Sequence, residues 1–187
     1  MTIGQTLYVK DRNSWRKWLK LHHSRKKEIW LIYYKKESGK PRILYNDAVE
    51  EALCYGWIDS ILKSIDDKKY AQRFSPRKPT SQLSPMNRER ILRLKRQKKM
   101  TKAGLAAVSH AMHPLQKRPQ FRLPPDIKRE LEKDPKVWAN FQRLPGSYKR
   151  IRIGWIDASR RRQDIFKQRL RYFVKMTRQN KRFGMVQ

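Results

Sequence analysis

The spacing of apolar residues changes character along the chain, and the changes divide it. Trp15, Trp18, Leu19 and His22 fall on one face at helical spacing, with Asn13 or Ser14 placed to cap the helix. The next run, EIWLIYYKK, is dense in β-branched and aromatic residues and reads as a strand, broken by a Ser38-Gly39-Lys40-Pro41 turn. Asn46 stands where it can cap a second helix. Asp47, Glu50 and Glu51 follow it, at the helix end that favours carboxylates, and Gly56 falls just past the far end. WIDSILKS, an Asp66-Asp67 turn and KYAQRFS then read as a β-hairpin. Residues 1–80 are therefore expected to form a small α+β domain around an antiparallel sheet.

Pro76 and Pro79 close the strand region, because proline cannot donate to a ladder. Ser84-Pro85 is a capping residue followed by a helix-initiating proline. The helix it opens, MNRERILRLKRQKK, is amphipathic through Ile91, Leu92 and Leu94 and otherwise basic. Thr101 opens a short helix of small residues, TKAGLAAVSHAM, and HPLQKRPQFRLPP is a proline-rich connector with a boundary near residue 120. Beyond it, Ile127, Leu131, Val137, Trp138, Phe141, Tyr148, Ile151, Trp155 and Ile156 recur at helical spacings. A last helix uses Ile165, Phe166, Leu170, Phe173 and Val174 as its apolar side, and TRQNKRFGMVQ reads as a fraying end. The expected organisation is an α+β domain over 1–80, a basic bridge and connector over 81–123, and an all-helical module of three or four helices over 124–187. GWID occurs at 56–59 and again at 154–157. The first copy sits at a helix-to-strand turn and the second inside a helix, so the echo is not a repeat.

Charge changes this picture more than length does. The 187 residues carry 47 Lys/Arg against 16 Asp/Glu, a formal net charge of +31. Residues 1–70 hold 15 Lys/Arg and 9 Asp/Glu, a net of +6, whereas residues 71–187 hold 32 and 7, a net of +25. Such asymmetry suggests a polyanion partner, nucleic acid foremost, and the competing reading is a solubility adaptation of the surface. The candidate phosphate contacts are Arg88, Arg93, Arg96 and Lys99 on one helix and Arg160, Arg161, Arg162, Lys167 and Arg171 around the last. No zinc finger, homeodomain or RNP signature accompanies them, so the expected binding is indifferent to sequence and strongly salt-dependent. The single cysteine, Cys54, excludes an internal disulfide framework and reads as a small buried residue. No secretion signal and no apolar run of membrane-spanning length is visible, and a cytoplasmic location is expected.

The hairpin carries the one candidate pocket. Strand alternation places Trp57, Asp59 and Ile61 on one face, where a half-buried Asp59 needs Arg73 or a backbone donor as partner. Trp57, Asp59, Lys63, Arg73, Arg77 and Lys78 could then hold an anionic metabolite, with Asp59 as orienter or general base. The alternative is a buried salt bridge that fixes the hairpin register. His22-His23 and His110/His113 lack further ligands at metal-binding spacing. No nucleotide-loop, metalloprotease or nucleophile-elbow motif appears, so no cofactor, metal or catalytic residue is assigned.

DAVEEALCYGWIDSILKSIDDKKYAQRFSPRKP at 47–79, preceded by EIWLIYYKKESGKP and followed by SPMNRERI, MTKAGLAAV and LPPDIKRELEKDPKVWANFQRLPGSYKRIRIGWIDASRR, resembles the YdeI/OmpD-associated, or bacteriocin-protection, family. The resemblance implies a cytoplasmic protein associated with bacteriocin protection or stress response, and it implies no defined reaction. Three expectations follow: a non-enzymatic polyanion binder, a binder or enzyme of a small anionic metabolite at the hairpin, or a scaffold that docks through its C-terminal helices.

Overall fold

The β-branched and aromatic runs expected to be strands do pair, and they gain a neighbour that the hydrophobic pattern did not reveal. The structure is a computed structural model that describes residues 2–112 and 121–184. Strands β1 (Thr6–Tyr8), β2 (Ile29–Tyr34), β3 (Trp57–Ser64) and β4 (Lys69–Pro76) form one sheet in the order β1-β2-β4-β3. β2, β4 and β3 are antiparallel neighbours, but β1 runs parallel to β2 through Thr6↔Trp30 and Tyr8↔Ile32. The sheet is therefore mixed rather than purely antiparallel. Three residues are too few to show a period, which is why β1 is silent in the sequence.

Helix α1 (Arg12–His22) connects β1 to β2, as a parallel pair requires. Its cap is Asp11, whose carboxylate accepts from the Ser14 N–H at 2.8 Å, and not Asn13 or Ser14. Trp15 and Leu19 are fully buried, and the Trp15 ring meets Phe74 of β4 edge-on at 5.5 Å. Helix α2 (Tyr45–Cys54) begins one residue before Asn46, at an uncapped Leu44, so Asn46 lies inside the helix instead of capping it. Gly56 then turns the chain into β3 at φ +77°, a conformation without strain only for glycine.

Helix α3 (Pro85–Arg96) starts at the expected capping serine, with the Asn87 N–H donating to Ser84 Oγ at 3.2 Å. Helix α4 (Lys102–Val108) is capped by Thr101, which also donates its hydroxyl to the Cys54 carbonyl at 2.6 Å. Gly104 faces that same carbonyl so closely that no Cβ fits between them. The small residues of TKAGLAAV are thus a close-packing device against the end of α2.

The chain divides into two compact units, Met1–Gln82 with Arg90–His113, and Leu83–Glu89 with Pro114–Gln187. The segment read as a bridge is accordingly shared between them. Residues 113–120 of the proline-rich connector, His113 among them, lie outside the described residues. The second unit contains α5 (Pro125–Glu132), α6 (Pro135–Arg143), α7 (Gly146–Asp157) and α8 (Gln163–Arg178). Ile127, Leu131, Val137, Phe141, Tyr148, Ile153, Ile156, Phe166, Leu170 and Phe173 form its core. The fold is α+β, as expected, and the regular elements among the described residues of this C-terminal unit are helices. The segment expected to fray is held at Phe183, which packs half-buried against this core and whose N–H donates to Tyr148 Oη at 3.0 Å. Residues 185–187 lie outside the described residues.

Candidate functional site

The sequence-predicted pocket does not assemble, because β-sheet geometry separates its two central residues. Asp59 pairs in register with Phe74, and Arg73 is the next residue along β4, opposite Trp30. Neighbouring residues in a strand face opposite sides, so Asp59 and Arg73 emerge from opposite faces of the sheet. An irregularity between Asp59 and Leu62 also inserts an extra residue, which breaks the alternation that placed Ile61 on one face with Trp57 and Asp59, and Ile61 and Leu62 are exposed. Arg73 donates to Glu28 at 2.7 and 2.8 Å. This bond, more than any other contact, holds the Glu28 carboxyl below its ordinary range.

The other pocket candidates are also placed elsewhere. Trp57 is a core residue whose indole N–H donates to the His23 carbonyl at 3.0 Å. Arg77 is buried, and it binds the Ser81 and Gln82 carbonyls at 2.8 and 2.6 Å, which brings the chain back after β4. Burial without a carboxylate depresses its pKa. Lys63 stands opposite Ala71 and Lys78 lies exposed beyond β4.

Around Asp59 the structure gathers different residues. Tyr45 Oη donates to Asp59 Oδ2 at 2.6 Å, and desolvation together with that bond pushes the Tyr45 phenol far up. Tyr33 stacks on Tyr70 with ring centres 5.2 Å apart. The Tyr33 hydroxyl is buried without a hydrogen-bond partner among the described residues, and burial above all, with Tyr70, Tyr45 and Asp59 adding to it, pushes its pKa up. Arg90, almost fully buried, donates to Asn46 Oδ1 at 2.6 Å. These residues come from α2, the sheet and α3, so no local spacing in the sequence could have joined them.

The candidate phosphate contacts fall into two groups. Arg93 is engaged by Glu50 of α2, and Arg160 binds Asp126 at 2.9 Å and Asp157 at 2.5 Å, so neither offers a free charge. The hydrogen bonds that Arg160 donates to Asp126 and Asp157 raise its pKa well above its ordinary value. Arg88 is half-buried near the start of α3 and also makes polar contacts. Arg96 and Lys99 are exposed in the first unit, and Arg161, Arg162, Lys167 and Arg171 are exposed in the second. Along α8, Lys167, Arg171 and Lys175 recur at four-residue spacing on the solvent face, and none forms an ion pair among the described residues. Helical periodicity alone predicts that stripe.

The buried acids of α2 are a second feature that the sequence reading passed over as helix-start carboxylates. Glu50 and Glu51 are buried, and Arg12 binds Asp47, Glu50 and Glu51 at 2.9, 3.2 and 2.5 Å. Arg16 adds a bond to Glu51 at 2.5 Å. The signal that could have found this staple is the four-residue spacing of Arg12 and Arg16 on α1. Among the described residues no group of three or more His, Cys, Asp or Glu could hold a metal ion. No described helix is long and apolar enough to cross a membrane. Burial pushes the Cys54 thiol up to about 11.

The model of a Domain of unknown function (DUF8412) matches residues 7–107, more than half of the chain. The chain belongs to this DUF8412 family. A second model, Bacteriocin-protection, YdeI or OmpD-Associated, matches residues 120–180. The expected bacteriocin-protection resemblance is therefore present, carried by the C-terminal helices, and the 47–79 stretch falls under the DUF8412 match instead. No curated protein and no solved structure is significantly similar to the chain.

Proposed function

We propose that this protein is a non-enzymatic, cytoplasmic, bacteriocin-protection-like protein that binds nucleic acid through its phosphates, without reading sequence. The observation that carries the reading is the solvent face of α8, where Lys167, Arg171 and Lys175 stand in a row without carboxylate partners among the described residues. Sixteen carboxylates cannot neutralise 47 cations wherever the side chains lie, so a large positive excess remains for counterion exchange with a polyanion. Exposed Lys95, Arg96, Lys98 and Lys99 at the end of α3 add a similar cluster within the first unit.

The test is fluorescence anisotropy of a labelled random duplex titrated with protein. Affinity should fall on the order of a thousandfold between about 50 and 200 mM salt if six or more phosphates are neutralised. Lys167→Glu/Arg171→Glu/Lys175→Glu should abolish most of it. No binding at about 50 mM salt would sink the reading and leave the charge as a surface adaptation.

The second reading, a small-ligand site beside Asp59, is favoured by the unpartnered Tyr33 hydroxyl next to the Tyr45–Asp59 bond. A buried hydroxyl left unpaired costs about 1–3 kcal/mol, which a bound polar ligand would recover. Asp59→Asn should then remove ligand-induced thermal stabilisation while leaving the fold intact, and unfolding of that variant would mark Asp59 as structural.

A further inference from the structure

The loop YKKESGK, which ends β2, and the β3–β4 hairpin turn together line an open cleft of about 400 Å³. Its walls are Tyr34, Lys35, Glu37, Ser38, Lys40, Asp67 and Lys68. We propose that this cleft binds a phosphorylated, hydroxyl-bearing small molecule of the mononucleotide class, at a site separate from the basic face of α8.

Four features support that ligand chemistry. The volume lies within the range of about 300–1,000 Å³ usual for small-molecule sites. Three lysines, Lys35, Lys40 and Lys68, are among the residues that line the cleft, and none of them forms an ion pair among the described residues, although Glu37 and Asp67 line the same space. Lysines act as mobile point charges on phosphate, so three around one cleft suit a terminal phosphate better than a planar carboxylate. Glu37 and Asp67 leave acceptors for the hydroxyls of a sugar. Tyr34 supplies an aromatic surface, with Lys40 Nζ 4.6 Å from its ring centre and Tyr8 edge-on at 5.1 Å.

The walls are also held in place before any ligand arrives. The Lys35 N–H donates to the Lys68 carbonyl at 2.8 Å, which ties the loop to the hairpin turn. Ser38 Oγ donates to the Lys35 carbonyl at 2.7 Å, and Gly39 turns the loop at φ +65°. Arg42 anchors the Tyr34 carbonyl at 2.8 Å. On the other wall, Asp66 Oδ1 accepts from the Lys68 and Lys69 N–H groups at 2.8 and 3.0 Å, which fixes the turn. Pre-ordered walls lower the entropy cost of binding.

The inference does not rest on nucleic-acid binding, and the experiment keeps the two apart. The full chain is titrated calorimetrically with adenosine 5′-monophosphate, adenosine and inorganic phosphate at about 150 mM salt, near physiological screening. The nucleotide should bind with a Kd below about 1 mM, and each fragment at least about tenfold more weakly. Lys35→Ala/Lys40→Ala/Lys68→Ala replaces three surface side chains without touching the core, and should lose about tenfold or more. Lys167→Ala/Arg171→Ala/Lys175→Ala removes the same charge from α8 and should leave nucleotide affinity within about twofold while weakening duplex binding. Absence of nucleotide binding, or equal losses in the two triple variants, would overturn the proposal.

Discussion

Two arginine clusters, one in each unit, settle a buried or half-buried guanidinium with different partners. In the N-terminal unit Arg12, Arg16 and Arg93 converge on Asp47, Glu50 and Glu51 of α2. In the C-terminal unit Arg152, almost fully buried on α7, has no carboxylate among its described partners. Its guanidinium instead donates to the Phe183 carbonyl and lies over the Phe183 ring at 4.1 Å, with Tyr148 and Trp155 at 5.3 and 5.9 Å. Aromatic faces and a carbonyl thus stabilise Arg152 where carboxylates hold Arg12, Arg16 and Arg93.

The largest test of that contrast is Glu51→Ala. It leaves Arg12 and Arg16 without their shortest partner and should cost about 3 kcal/mol in urea unfolding, the low end for a broken buried pair because both arginines keep some solvent contact. A loss under about 0.5 kcal/mol would place the staple among ordinary surface ion pairs. Phe183→Ala should cost about 2 kcal/mol by uncovering Arg152 and removing an aromatic packed against the core, against almost nothing if the segment frayed. Tyr45→Phe should cost about 1 kcal/mol, the net worth of its bond to Asp59.

The smallest expected effect is on acid stability. Arg73 lowers the Glu28 pKa in the first unit, and Arg160 lowers that of Asp126 in the second. A carboxyl whose folded pKa lies below its unfolded value stabilises the fold above the ordinary range near pH 4, and that stability disappears as pH falls through the folded value. Unfolding midpoints measured from about pH 5 down to pH 2 should therefore fall less steeply in Glu28→Gln/Asp126→Asn than in the parent. Identical slopes would mean that these exposed pairs contribute nothing measurable.

Much of the architecture was legible in local pattern. The strand EIWLIYY, the hairpin around Asp66, the Ser84-Pro85 helix start, the Thr101 cap and the apolar faces of α5–α8 all follow from residues near one another in sequence. Asp11 rather than Asn13 or Ser14 caps α1, because several nearby polar residues could each serve and local rules rank them too closely, whereas α2 starts at Leu44 with no side-chain cap at all. The expected pocket failed on one register relation, Asp59 opposite Phe74, which sends Arg73 to the other face.

The sequence by itself determined the helices, every strand but β1, the positive excess and the periodic basic stripe of α8, since each depends on residue type and on spacings of a few positions. Only the tertiary structure decided which charges remain available. Arg93 and Arg160 read like their neighbours in the sequence, yet both are taken up by carboxylates 43 and 34 residues away, while the lysines of the YKKESGK loop meet Lys68 across a cleft. The physical reason is that ion pairing and clefts depend on register and on the close approach of distant elements, and a one-residue difference in either reverses where a side chain points.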